Sequence, residues 1–206
     1  LLALPPQGVN RPAGGPGAAF ANRLTNHPTG MMLAVWVETG ETMKFGIIVN
    51  RKLIDRLAST PYQRLYRYIE EMEDLGYDLA WCGQHRFSDR TAFGGDTASE
   101  PSAPLTMLAP LMARTTRMEF ATNIMLVPAR HPLELAEEIN TLQEISGNRF
   151  VLGAGIGYKP QEFEACGWGF RNRASRLEEC IAVLRLALAG GEFSFEGKHF
   201  QLENVM

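Results

Sequence analysis

The sequence predicts an α/β protein, a TIM-type (β/α)8 barrel of which residues 43–206 supply about the first four βα units, with a small hairpin after the fourth helix. Three observations carry this expectation. Strand-length apolar runs alternate four times with helical segments, the pattern of successive βαβ units and a parallel sheet. The fourth run, Phe150, Val151 and Leu152, lacks alternation, as befits a strand covered on both faces. The residues suited to chemistry follow the strands rather than precede them, and that rim is where barrels gather their ligand sites.

Residues 44–49 read as the first strand. A helix over 61–75 follows, with Thr60 as N-cap, Pro61 at its first position and Gly76 as its stop. Leu65, Ile69, Met72 and Leu75 share one face of it and predict a core stripe. The second strand is expected at 77–82 and the second helix at 105–113, shortened or kinked by Pro110. A third strand over 119–127 leads to a third helix over 133–145, bounded by Pro132 and Gly147. The fourth strand is expected at 149–156 and the fourth helix at 174–188, ended by Gly190 and Gly191. Residues 192–202, with Phe193, Phe195 and Phe200 around Gly197, read as the hairpin.

Residues 1–42 differ in kind. They are rich in Pro, Gly and Ala without periodicity, and are expected to be a disordered or non-native extension, with Met43 opening the barrel domain 43–206. A closed barrel takes about 250 residues, so four units make half of one and leave two strand edges to be covered. The chain is therefore expected to continue past Met206; a four-stranded open sheet is the alternative. The formal net charge of −3, with no cluster of Lys and Arg, gives no footprint for nucleic acid. The apolar stretch 31–37 is too short to span a bilayer. Cys82, Cys166 and Cys180 lack metal-ligand spacing; free, inert thiols in a reducing, cytoplasmic compartment are expected, and no metal.

Residues 149–163, RFVLGAGIGYKPQEF, join a buried-strand pattern to a glycine-opened mouth followed by charge. Gly153, Gly155 and Gly157 remove alternate side chains, so that a flat or anionic group can lie against the backbone. A dinucleotide loop competes with the barrel reading, but Tyr158 takes its last glycine position and Pro160 interrupts the entry. Packing of strand against helix is a third account of the glycines. On the barrel reading, Gln84, His85 and Arg86 follow strand two, Arg130 and His131 follow strand three, and Gly155, Gly157, Tyr158 and Glu162 follow strand four. His85 can move a proton near neutrality or simply hydrogen-bond within its loop. His131, next to Pro132, suits a helix cap as well as a site.

The run PLELAEEINTLQEISGNRFVLGAGIGYKPQEFEACGWGF, with LAWCGQHRF and ATNIMLVPARHP before it, resembles the bacterial luciferase-like monooxygenase family in order and spacing from Met43 to about Val205. The resemblance implies a barrel that binds reduced FMN, or in one branch a deazaflavin coenzyme, at its carboxyl-end mouth. It implies O2 and a small organic substrate as reactants, a separate flavin reductase as partner, and a homo-oligomer at full length. By position, His85 would be the base and Glu162 the acid that supports it or shapes the entrance. Thr122 and Asn123 would lie under the ring, with a cis peptide at Asn123–Ile124. Gly155, Gly157 and Tyr158 would pass beside the ring, and His131 joins them as a candidate cofactor contact. The family often carries Glu-His-His where this chain has Gln84, His85 and Arg86, which weakens any likeness to luciferase chemistry itself. A hydride-transferring deazaflavin dehydrogenase and a non-catalytic flavin-binding subunit are the rival expectations. Because the family holds the flavin phosphate mainly with later units, residues 43–206 alone are expected to bind flavin poorly and to be inactive.

Overall fold

The computed structural model of the chain describes residues 2–4, 38–39, 42–49, 61–86 and 103–206. Two short strands, β1 (Leu2–Leu4) and β2 (Glu38–Thr39), come first, and β2 pairs antiparallel with β3 (Thr42–Met43). The repeating part begins at β4 (Gly46–Ile48) and continues through α1 (Pro61–Asp74), β5 (Leu79–Cys82), α2 (Pro104–Met112) and β6 (Glu119–Thr122). After β7 (Met125–Leu126) and a 3-10 turn over Val127–Ala129 come α3 (Pro132–Ser146) and β8 (Phe150–Gly155). The chain ends with α4 (Pro160–Glu164), α5 (Arg173–Ala189) and the hairpin of β9 (Phe193–Glu196) and β10 (Gln201–Val205).

Strands β4, β5, β6 and β8 lie side by side and parallel, with the helices as crossovers, as alternating βα units require. Among the described residues the sheet stays open. The outer edge of β8, expected to be bare, pairs antiparallel with β1, Leu2 opposite Ala154 and Leu4 opposite Leu152. Most of the remaining residues below 43, and the Thr60 cap, lie outside the described residues. The core fills the space between sheet and helices. Leu65 and Ile69 of α1, Leu108 and Leu111 of α2, Leu135 of α3, and Val183 and Leu184 of α5 are fully buried against Phe120 and Phe150. The expected α1 stripe holds, with Leu75 at its partly buried margin. Pro110 leaves α2 unbroken as far as Met112.

The third strand departs from its expected span of 119–127. Ala121 faces Val151 and Met125 faces Ala154, so four steps along β6–β7 match three along β8. One extra residue is accommodated as a bulge at 122–124, which divides the strand. The Asn123–Ile124 peptide bond there is cis, as the resemblance implied. A second difference is α4. Proline at the first helical position loses no intrahelical hydrogen bond, so Pro160 opens this short helix rather than merely interrupting the chain.

The amino ends of the strands are fastened by charge. The Arg149 guanidinium donates to the carbonyl oxygens of Met112, Thr115 and Met118, closing the end of α2 onto the start of β8. Glu73 accepts from the backbone N–H groups of Thr116, Arg117 and Met118. These donors outweigh desolvation by burial and hold its carboxyl below the usual range. Gln143 pairs its amide with both the N–H and C=O of Phe150, locking the α3–β8 turn.

Candidate active site

At the carboxyl ends of β5, β6–β7 and β8 lies a cleft of about 480 Å³. Its polar lining comes from Gln84, His85, Asn123 and Tyr158; Ile124, Leu126, Ala154, Ile156, Leu177 and Ile181 form apolar wall, and Gly83, Gly155 and Gly157 present backbone. None of these lining residues is Lys or Arg.

His85 follows β5 directly and stands about one-third exposed, with Nδ1 3.3 Å from Glu162 Oε1. The same carboxylate oxygen accepts the Arg86 backbone N–H at 2.8 Å, and the Arg86 guanidinium reaches the Ala129 carbonyl. Glu162 is 1% exposed, carried in the first turn of α4, where a negative charge is favoured. Its second oxygen, Oε2, is buried without a hydrogen-bond partner among the described residues. In the tautomer that donates from Nδ1 to this carboxylate, Nε2 is the nitrogen with a free lone pair. The Tyr158 ring meets the imidazole edge-on at 6.2 Å between centroids.

Of the residues singled out in the sequence, His85, Asn123, Gly155, Gly157 and Tyr158 line the cleft, and Glu162 stands behind His85. Thr122 and His131 do not line it. Thr122 is 1% exposed, its hydroxyl donating to the Gly153 carbonyl and accepting the Gly153 N–H, so it ties β6 to β8. His131 accepts the Leu133 N–H through Nδ1 as the cap of α3 and packs edge-on against Phe200. The reason for the glycines also needs correction. A Cβ on Gly153 would stand 1.8 Å from the Thr122 carbonyl oxygen, one on Gly155 2.3 Å from Ile124, and one on Gly157 2.8 Å from Phe163. The space freed by each glycine is filled by the protein itself, so they serve close packing of β8 first and border the cleft with backbone second.

Sequence reasoning passed over the apolar wall. Leu177 and Ile181 sit one helical turn apart on α5, and that i, i+4 spacing was the available signal. Arg176, three residues into the same helix from Arg173, was also missed. It is buried between the Trp168 and Phe200 rings, 3.5 and 4.5 Å from their centres, and donates to the carbonyls of Pro128 and Arg130. Arg173 holds the other side of the mouth by donating to the Gly157 carbonyl.

Residues 43–206 match the family model described as luciferase-like monooxygenase. The chain belongs to this family. Within reach of it, 4-hydroxyprotoasukamycin monooxygenase of Streptomyces nodosus subsp. asukaensis is 28% identical over 155 residues, 74% of this chain and 39% of that protein. Among solved structures, monooxygenase RslO1 from Streptomyces bottropensis superposes with a TM-score of 0.68 and 27% identity over 79% of this chain and 48% of its own. The oxygenating constituent of 3,6-diketocamphane monooxygenase from Pseudomonas putida, solved in complex with FMN, gives 0.65 at 20% identity, covering 81% and 44%. The coenzyme F420 dependent tetrahydromethanopterin reductase of Methanopyrus kandleri gives 0.57 at 23%, covering 78% and 44%. The last two likenesses show the fold alone. In each of these matches the aligned part spans under half of the related protein.

Proposed function

We propose that this chain carries the ring-binding and proton-handling part of a flavin-dependent monooxygenase acting on a small organic substrate with reduced FMN and O2. The observation that carries the reading is His85, oriented by the buried Glu162 at the mouth of a cleft that is apolar on its walls and has no Lys or Arg among its described lining residues. Such a lining suits a planar heteroaromatic ring. It does not suit a phosphate, for which no cation is presented among the described lining residues, and this supports weak binding of FMN by the chain alone.

Bound there, the flavin would supply the redox chemistry with oxygen. The chain's own residues supply the rest. Asn123, Gly155 and Gly157 would border the ring, the apolar wall would exclude water, and His85 Nε2 would accept and return a proton at the reacting edge. Glu162 acts through His85 as a positioning residue. Hydride transfer with a deazaflavin coenzyme is the second reading, favoured by the fold shared with the Methanopyrus reductase.

The test uses the full-length protein. Transfer of an oxygen atom from labelled O2 into an organic product with reduced FMN separates the first reading from the second, in which the deazaflavin is oxidised or reduced and no oxygen atom enters the product. His85→Ala is expected to lower kcat by roughly 100-fold or more, the usual worth of a positioned base, with flavin affinity little changed. Unchanged turnover in that variant would remove His85 from the mechanism.

A further inference from the structure

We propose that Gln84 is a ring-recognition residue of the cleft, its side-chain amide donating a hydrogen bond to a carbonyl oxygen on the pyrimidine edge of the bound flavin or deazaflavin. The proposal rests on the flavin reading above and adds to it the polarity of one contact.

The argument starts from the backbone. Gln84 N–H donates to the Ile124 carbonyl at 3.0 Å, and Leu126 N–H donates to Gln84 Oε1 at 2.9 Å. Gln84 thus clasps the Ile124–Leu126 segment, directly after the cis peptide bond, at two points. The second bond also settles which way the amide points, because a backbone N–H can be satisfied only by the oxygen end. The nitrogen end, Nε2, is then the atom left over. Among the described residues the side-chain hydrogen bond of Gln84 is the one its oxygen accepts, Nε2 is not one of the buried polar atoms left without a partner, and Gln84 lines the cleft. Two N–H groups on an amide fixed at the lining of a cleft with apolar walls form a recognition point for an acceptor.

Residue identity matters here. A glutamate at this position, as in the pattern the resemblance describes, could keep the Leu126 bond through one oxygen but would present its other oxygen as an anionic acceptor. Glutamine presents a neutral donor in the same place. A ring edge bearing C=O groups matches the donor; a ring edge bearing only N–H groups matches the acceptor.

The experiment is an NMR titration of the chain with lumiflavin, the flavin ring without its ribityl phosphate, so that charge repulsion at a phosphate plays no part. The expected result is movement of the Gln84 side-chain NH2 pair together with the Gly155 and Gly157 amides. In Gln84→Glu, which retains an acceptor for Leu126, lumiflavin binding should weaken by about fivefold, the worth of roughly one neutral hydrogen bond. Equal affinity in that variant overturns the proposal. So does a titration in which Gly155 and Gly157 move while the Gln84 NH2 pair stays still, and that result leaves the flavin reading standing. If Gly155 and Gly157 do not respond to the wild-type titration, the flavin reading falls and this proposal with it. The wild-type readout decides even if the variant fails to fold.

Discussion

Gly153 illustrates how much a single missing methyl can decide. Its Cβ would fall 1.8 Å from a backbone carbonyl oxygen that cannot swing aside, whereas a Cβ on Gly147 meets nothing within 4 Å and offends only through φ of +63°. Overpacking against rigid backbone should therefore outweigh a left-handed backbone penalty. Gly153→Ala is expected to lower the unfolding free energy by about 3 kcal/mol and Gly147→Ala by about 1 kcal/mol, as measured by urea denaturation. The thiols give a second expectation at this scale. Burial pushes the Cys82 thiol up to about 12 and the Cys180 thiol up to about 11, while Cys166 is partly exposed. Near pH 8, Cys166 should react with a disulfide reagent first, and Cys82 and Cys180 only as fast as the chain unfolds. One prompt thiol per chain in a colorimetric assay is the expected count; three would contradict it. His85, as a candidate base, was legible in the sequence because it follows an apolar run. Its partner was legible only through resemblance: 77 residues separate it from Glu162, and no local spacing encodes such a contact.

At the scale of elements, what could be read in advance was whatever local chemistry decides. Helix α3 begins at Pro132 and stops at Gly147, whose positive φ needs a residue without a side chain, and the structure follows that punctuation. The break in the third strand was not legible, because its bulge depends on the register of β8, some thirty residues away. For Gly153, Gly155 and Gly157 the sequence left a ligand opening and close packing side by side, because what fills their space is the Thr122 backbone and the side chains of Ile124, Leu126 and Phe163, most of them distant in sequence. The hairpin of β9 and β10 shows the same dependence. Its turn is held by Glu179 of α5, which accepts the backbone N–H groups of Lys198, His199 and Phe200. Those donors, against a desolvation cost, hold its carboxyl below the usual range. Glu179→Gln should loosen the hairpin, and faster amide exchange confined to residues 193–205 is the measurement that would show it.

For the whole molecule, the two lowered carboxyls set the acid limb of stability. Glu73 and Glu179 both titrate below their ordinary value near 4.5, so the stability they lend is present above that value and is lost as pH falls through the lower folded-state values. Unfolding monitored by circular dichroism should be insensitive to these groups from neutrality down to about pH 5, and then become steeply pH-dependent. The Glu73→Gln, Glu179→Gln double variant should show a shallower acid limb together with lower stability at neutral pH. The parallel order of β4, β5, β6 and β8 follows from alternation in the sequence, whereas the pairing of Leu2–Leu4 on the edge of β8 has no sequence signal, since any short apolar strand can meet an open ladder.

The ionic fastenings formed by Arg149 and Glu73 lie at the amino ends of the strands, and His85, Gln84 and Tyr158 lie at the opposite ends. Selection can thus redraw the loops that meet a ligand while the clasps that hold the chain together go untouched. A lineage built on this plan is free to exchange substrates without first relearning how to fold.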